Sequence, residues 1–109
     1  MKNMNIVVNR DTRAFVTWLG GAAKIVTDYM ANTFPNNPKK WLEVDMGHRY
    51  IRIIVKDTGT AAFAFIDRSN GDVLKPASWK APAKHARGNI FDAANGLGSM
   101  GPYGPAYLK

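Results

Sequence analysis

The stretch that decides the fold runs from Lys40 to Lys75 and reads KWLEVDMGHRYIRIIVKDTGTAAFAFIDRSNGDVLK. Apolar and polar residues alternate within it, and glycine-containing turn signals interrupt the alternation three times. A period of two residues is typical of antiparallel strands that have one buried and one exposed face. We therefore predict a meander of three or four antiparallel strands, closed by Pro76. The candidate strands are Lys40–Met46, Arg49–Val55, Thr60–Asp67 and Asp72–Lys75.

The alternation also assigns side chains to the two faces of this sheet. Tyr50 and Arg52 of the second strand share the face that Trp41 occupies in the first, and we expect Phe63 and Phe65 to share a face in the third. An aromatic and basic sheet face is typical of folds that stack bases of RNA or oligonucleotides. The alternative is that these rings pack under the C-terminal tail or at a subunit interface.

Upstream of the strands the sequence predicts one long helix of about twenty residues. Asp11 and Thr12 offer an N-cap, and the short apolar run Ile6–Val8 before them is a candidate edge strand. Gly20 and Gly21 each cost roughly 1 kcal/mol relative to alanine, so either a crossing element packs closely there or the helix is kinked. The apolar stripe consists of Phe15, Trp18 or Leu19, Ala22, Ile25 or Val26, and Tyr29.

The predicted fold class is α+β, with the N-terminal helix packed on the three- to four-stranded antiparallel meander. The 109 residues suit a single domain, 1–109. Glycine and proline recur after Asp92, and we expect residues 92–109 to form an irregular extended arm. Tyr103, Tyr107 and Leu108 would anchor this arm on its own sheet or on a neighbouring subunit; alternatively, the arm is a mobile tether that wraps a ligand or docks a protein partner.

The charge is strongly positive, because fifteen Lys and Arg oppose eight Asp and Glu and give a net charge of +7. Such an excess attracts polyanions at long range. The chain has no cysteine and two histidines, so disulfides and a cysteine-ligated metal are excluded and a structural zinc site is not expected. We predict no cofactor. No apolar run approaches the length of a membrane span, and no secretory signal is visible, so we predict a protein without membrane partners.

The stretch Lys75–Phe91, KPASWKAPAKHARGNIF, contains four Lys and Arg and one Trp but no acid. Pro82 in a first turn and Gly88 as a cap predict a short helix. That helix would align three cations at i, i+4 and i+7, namely Lys80, Lys84 and Arg87. Alignment without acids favours an anionic ligand, whereas the alternative is a plain solvated surface.

The predicted nucleic-acid-binding residues combine cations for phosphates with rings for bases. They are Lys75, Trp79, Lys80, Lys84, His85 and Arg87 from the basic stretch, and Arg49, Tyr50 and Arg52 from the sheet. We predict no enzymatic activity. Ser78, His85 and Asp92 lack the context of a nucleophile elbow, and the GxGxxG match at residues 96–101 is followed by prolines that forbid the required helix.

The C-terminal third, SWKAPAKHARGNIFD followed by GPYGPAYLK, resembles small bacteriophage proteins. Size, basicity and helix-then-sheet order resemble the single-stranded-DNA-binding RNA polymerase cofactor of phages that encode their own polymerase. The resemblance implies a transcription or replication cofactor that holds opened DNA and recruits a phage RNA polymerase in the host cytoplasm. It assigns no individual residue. RNA is the alternative nucleic acid, and a homo-oligomer is expected because a small domain with an exposed arm gains burial by association.

A second hypothesis is a phage protein-interaction or inhibitor module. In that case the basic stretch would dock on an acidic surface of a host or phage enzyme.

Overall fold

The computed structural model describes residues 12–34, 36, 40–57 and 59–105. These residues form one helix, a five-stranded sheet and a two-stranded ribbon. In chain order the elements are α1 (Thr12–Thr33), β1 (Trp41–Met46), β2 (Tyr50–Lys56), β3 (Thr60–Asp67), β4 (Asp72–Pro76), β5 (Pro82–Asn89), β6 (Met100–Gly101) and β7 (Gly104–Pro105). The candidate strand Ile6–Val8, the capping residue Asp11 and the arm residues Tyr107 and Leu108 lie outside the described residues.

The helix α1 buries the apolar stripe that its sequence predicts. Four positions of this stripe are at least nine-tenths buried, namely Phe15, Trp18, Ala22 and Val26, whereas Tyr29 at its end is partly exposed. The spacing of three and four residues puts them on one side of the helix, and burial of each large side chain stabilises the fold by about 1.5–3 kcal/mol. Trp18 is fully buried whereas Leu19 is partly exposed, so the structure decides between the two.

The five long strands form the antiparallel sheet β1-β2-β3-β4-β5, in which each strand pairs with its neighbours in sequence. The predicted α+β architecture, a helix before an antiparallel meander, is confirmed, and the meander has five strands where three or four were expected. One face of the sheet packs on α1 through Ile51, Ile53, Ile66 and Val73. The other face, here called the outer face, is turned away from the helix.

The third strand departs from strict alternation. The register between β2 and β3 shifts after Ile53, which leaves Phe63 without a directly opposed residue. Phe63 therefore joins Ala64 in the core on the helix side, whereas Phe65 meets Tyr50 on the outer face. The expectation that the two phenylalanines share a face is wrong. A β-bulge leaves Phe63 as an extra, unpaired residue in β3, and this interrupts the alternation of side chains between Phe63 and Phe65.

The segment after β4 forms a strand, and the short helix predicted from Pro82 and Gly88 is wrong. β5 pairs antiparallel with β4, and this pairing reaches Pro76 opposite Pro82, so Pro76 does not close the sheet. A helix of seven residues is marginal by itself in water. Strand pairing instead satisfies backbone groups of β4 that would otherwise be an open edge.

Residues 92–105 pack on the helix and the sheet, which is one of the alternatives left open for the arm. The Asn95 side chain donates hydrogen bonds to the carbonyls of Ala14, at 3.2 Å, and Ile90, at 2.6 Å. Leu97 lies so close to Gly21 that a Cβ there would overlap a Leu97 methyl group. The crossing element anticipated at the glycine pair is therefore this C-terminal segment.

Candidate nucleic-acid interface

The outer face of the sheet presents basic and aromatic side chains at its centre. Arg52 lies between the buried residues Ile51 and Ile53 of β2, so its side chain projects from the opposite side of the sheet. Its cross-strand neighbours are Asp45 of β1 and Phe65 of β3. This row of three residues is the floor of the candidate site.

Trp79, from the loop between β4 and β5, is held over this floor by Arg52. The guanidinium carbon lies 4.2 Å from the centroid of the indole ring, and Nη1 donates a hydrogen bond to the Trp79 carbonyl at 3.1 Å. Nη2 donates to the carboxylate of Asp45. Trp79 nevertheless remains 41% exposed. Arg52 therefore positions an accessible ring, and its own charge is already shared with Asp45.

Arg49 and Tyr50 extend the site beyond this floor. The Arg49 guanidinium carbon lies 5.3 Å from the centroid of the Tyr50 ring, and its Nη2 lies 3.6 Å from the carboxylate of Asp67. The Tyr50 ring meets Phe65 edge to face, with centroids 6.2 Å apart. Asp67 is buried, whereas the Arg49 side chain is 59% exposed. The guanidinium is thus anchored on one side and accessible to an anion on the other.

These side chains surround an open depression of about 240 Å³. Its lining consists of Asp45, Gly47, His48, Arg49, Tyr50, Arg52, Phe65 and Lys80. The fold thus unites Lys80 of the basic stretch with residues of β2 that lie far from it in sequence. His48 was missed by the sequence reasoning, and its place in the turn between two strands, next to Arg49, is the signal that could have found it.

The cations of β5 do not form the predicted row. Lys84 and Arg87 belong to an extended strand, whose side chains alternate between two faces, and Lys80 precedes that strand, so the spacing of four and three residues does not align the three cations as a helix would. Lys84 and His85 are exposed, and Arg87 donates a hydrogen bond to the carbonyl of His85. Lys84 and Arg87 therefore supply positive charge on β5 but form no aligned row with Lys80.

Lys75 is removed from the depression. Its Nζ donates a hydrogen bond to the carbonyl of Pro105 at 3.0 Å, so the side chain is directed to the C-terminal segment. Pro105 and Gly104 are buried, and Gly104 packs against Phe63 on the helix side of the sheet. Lys75 thus fastens the C-terminal segment and does not join the site that contains Trp79.

Neither a group of metal-ligating side chains nor a membrane-spanning helix is found among the described residues. No three of their His, Asp and Glu side chains form a group that could hold a metal ion. No helical segment in the described part of the chain has the length and hydropathy of a membrane span.

In a comparison of the sequence with known proteins, a family model matches most of the chain. The model of DUF7717, a family of unknown function, matches residues 1–100. No curated protein and no solved structure matches the chain. Because the match covers nearly the whole sequence, the chain belongs to the DUF7717 family of unknown function.

Proposed function

We propose that this protein binds single-stranded DNA, without enzymatic activity, through the outer face of its sheet. The observation that carries the proposal is the accessible Trp79 ring, fixed over Arg52 next to a depression lined by Lys80, Arg49 and Tyr50. An indole ring offers a stacking surface for any base, and neighbouring cations can contact the phosphates on either side of it. This is the combination that a sequence-tolerant single-strand binder requires.

The Trp79 ring is preorganised for stacking. Arg52 contacts both its ring and its carbonyl, so the side chain and the loop are already ordered before a ligand arrives. A ring that is ordered in advance loses less conformational entropy on binding than a free surface tryptophan does. We therefore expect Trp79→Ala to weaken binding by about 1–3 kcal/mol, the usual value for one stacked base.

The phosphate contacts come from cations that keep exposed donors. Arg49 is mostly exposed, Lys80 lines the depression, and Lys84 is exposed on β5. Three such contacts to a single strand predict that the logarithm of the association constant falls with the logarithm of salt concentration at a slope of roughly −2. The net charge of +7 adds long-range attraction.

A titration with short oligonucleotides tests the proposal. Tryptophan emission is followed at two salt concentrations for the wild type, Trp79→Ala and Lys80→Ala, with Lys24→Ala as the matched control. Lys24 is an exposed lysine paired with Asp28 on α1, away from the outer face. We expect salt-sensitive quenching that Trp79→Ala and Lys80→Ala weaken and Lys24→Ala leaves unchanged. A salt-independent response, or equal effects of the two lysine variants, contradicts the proposal.

The biological setting belongs to the same proposal. By its resemblance to phage polymerase cofactors, the protein would act as a homo-oligomer in the host cytoplasm, holding opened DNA and contacting a phage RNA polymerase during transcription or replication. RNA is the alternative ligand, and the titration separates the two nucleic acids when matched DNA and RNA oligonucleotides are compared.

A protein-interaction module is the second candidate, and the position of β5 favours it. β5 is an edge strand of the five-stranded sheet, and it exposes Lys84 and His85. An edge strand can pair with a strand of another protein, and the Lys84 ammonium group would suit an acidic partner. Absence of any oligonucleotide response, together with saturable and salt-sensitive binding of an acidic peptide, would support this function instead.

A further inference from the structure

A second exposed tryptophan lies on the outer face, at the opposite end of β2 from Tyr50. Trp41 of β1 is directly opposed to Lys56 of β2, in the same register that opposes Asp45 to Arg52. Residues that differ by four along a strand project from the same side. Trp41 and Lys56 therefore share the outer face with Arg52 and with the Trp79 ring above it.

The Trp41 ring is both accessible and oriented. It is 48% exposed, and its Nε1 donates a hydrogen bond to a Glu43 carboxylate oxygen at 2.9 Å. That bond fixes the indole while leaving its surface in contact with solvent. Lys56 is partly exposed and makes no ion pair with another described residue, so its ammonium group is available to an anion.

We propose that Trp41 and Lys56 form a second subsite for single-stranded DNA, which stacks one base and contacts a phosphate at the far end of the outer face from Trp79. The proposal rests on the proposed function, since it assigns the path of the same strand. Trp41 and Trp79 would then each stack on a base of the same strand.

The separation of the two subsites follows from strand geometry. Lys56 lies four residues beyond Arg52 on β2, which corresponds to roughly 13 Å at the usual rise per residue. That distance equals about four steps of a stacked strand at 3.4 Å per nucleotide, and fewer steps of an extended one. Between the two rings the outer face carries Ile54 opposite Ala62, which is a low apolar floor. A ligand shorter than about three nucleotides can reach only one subsite.

The carboxylates on this path are already engaged. Asp45 accepts from the charged guanidinium of Arg52, which offsets its negative charge, whereas Glu43 accepts from the neutral Nε1–H of Trp41 and keeps its negative charge beside the ring. Lys56 and Lys80 lie at the two ends of the path. An anionic strand would therefore place its phosphates at these two ends, away from Glu43.

A length series of oligonucleotides tests the proposal with the full chain. Affinities for dT2, dT4, dT6 and dT8 are measured by calorimetry for the wild type, Trp41→Ala, Trp41→Phe and Trp79→Ala. For the wild type we expect a steep gain in affinity between dT2 and dT6. Trp41→Ala should weaken dT8 binding by roughly 5- to 150-fold, flattening the length dependence, whereas Trp41→Phe, which keeps a stacking ring, should retain most of the affinity.

A second readout reports on the Trp41 ring directly. In a Trp79→Phe variant the exposed tryptophan is Trp41, because Trp18 is fully buried. We expect dT8 to quench the Trp41 emission and to protect the Trp41 ring from further quenching by acrylamide. If dT8 binds but neither Trp41→Ala nor the Trp41 emission responds, the second subsite is overturned and the Trp79 site stands. If the wild type binds no oligonucleotide at any length, the proposed function fails and the subsite fails with it.

Discussion

Substitution of Arg52 by alanine distinguishes a residue that positions Trp79 from one that binds phosphate. The structure gives this guanidinium a ring contact at 4.2 Å, a hydrogen bond to the Trp79 carbonyl at 3.1 Å and an ion pair with Asp45. A partly exposed cation–π contact contributes about 0.5–1 kcal/mol, and a hydrogen bond from a charged donor contributes about 1.5–3 kcal/mol. The exposed ion pair adds little. Docking of the Trp79 loop should therefore weaken by roughly 2–4 kcal/mol in Arg52→Ala.

The consequence for binding is bounded by the stacking contribution itself. If the loop undocks, the ligand has to order Trp79 again, and affinity falls by at most about 1–3 kcal/mol, or roughly 5- to 150-fold. The salt slope should stay unchanged, since Arg52 is already paired with Asp45. A direct phosphate contact would instead lower the magnitude of the slope by about 0.7.

The assay combines oligonucleotide titrations at several salt concentrations with acrylamide quenching of Trp79 in a Trp41→Phe background. Arg52→Lys is the matched control, because it keeps the charge but loses the planar guanidinium that covers the ring. We expect Arg52→Lys to resemble Arg52→Ala in quenching. The reasoning is refuted if Arg52→Ala leaves Trp79 accessibility unchanged, or if its affinity loss comes with a shallower salt slope.

Two further predictions concern the C-terminal segment. Gly104 has a φ of +108°, and a Cβ there would overlap the carbonyl oxygen of Phe63, so Gly104→Ala should lower the free energy of unfolding by on the order of 2 kcal/mol or more, measured by urea titration. The second prediction concerns the Asp92 carboxylate, which accepts hydrogen bonds from the backbone N–H groups of Gly96, Asn89 and Ala94. These bonds, and the one from Gly96 most of all, lower the pKa of Asp92. Its stabilising effect should be complete above the unfolded-state pKa of about 3.9 and be lost as pH falls through the lower folded-state value, which acid titration of stability checks.

Each of these predictions has a control. Gly20→Ala should stabilise α1 by about 0.5–1 kcal/mol, because no atom lies within 4 Å of the added methyl group and alanine favours the helix. If Gly20→Ala and Gly104→Ala change the free energy of unfolding equally, the close contact with the Phe63 carbonyl oxygen does not explain the effect of Gly104→Ala. For the pH prediction, Asp92→Asn should flatten the acid limb of the stability profile, and an unchanged limb contradicts the assigned role of Asp92.

Much of the candidate site could be anticipated because its residues belong to regular strands. Alternation in β2 places Tyr50 and Arg52 opposite the buried Ile51 and Ile53, and this prediction is confirmed. The helical row of Lys80, Lys84 and Arg87 could not be corrected from the sequence, because Pro82 and Gly88 are compatible with local helix caps. Pairing with β4 is a tertiary contact, and it outweighs those weak local signals.

The contact between Arg52 and Trp79 was equally inaccessible to sequence reasoning. Both residues were predicted to bind nucleic acid, but 27 positions separate them, and no periodicity links a strand to a loop across two turns. Only the fold shows that Arg52 supports the ring. Phe63 illustrates the same limit at shorter range, since one bulged residue reverses the face that alternation assigns to it.

Periodicity, turn residues and helix propensity act over a few neighbouring residues, so the α+β architecture, the buried positions of α1 and the order of the first four strands can be predicted from the sequence alone. The tertiary structure decided the rest: the fifth strand, the packing of residues 92–105 on α1 and the assembly of Trp79, Arg52 and Lys80 at one surface. These features depend on backbone hydrogen bonds and side-chain packing between segments that are far apart in the sequence. Such pairings are a property of the whole chain and leave no local pattern.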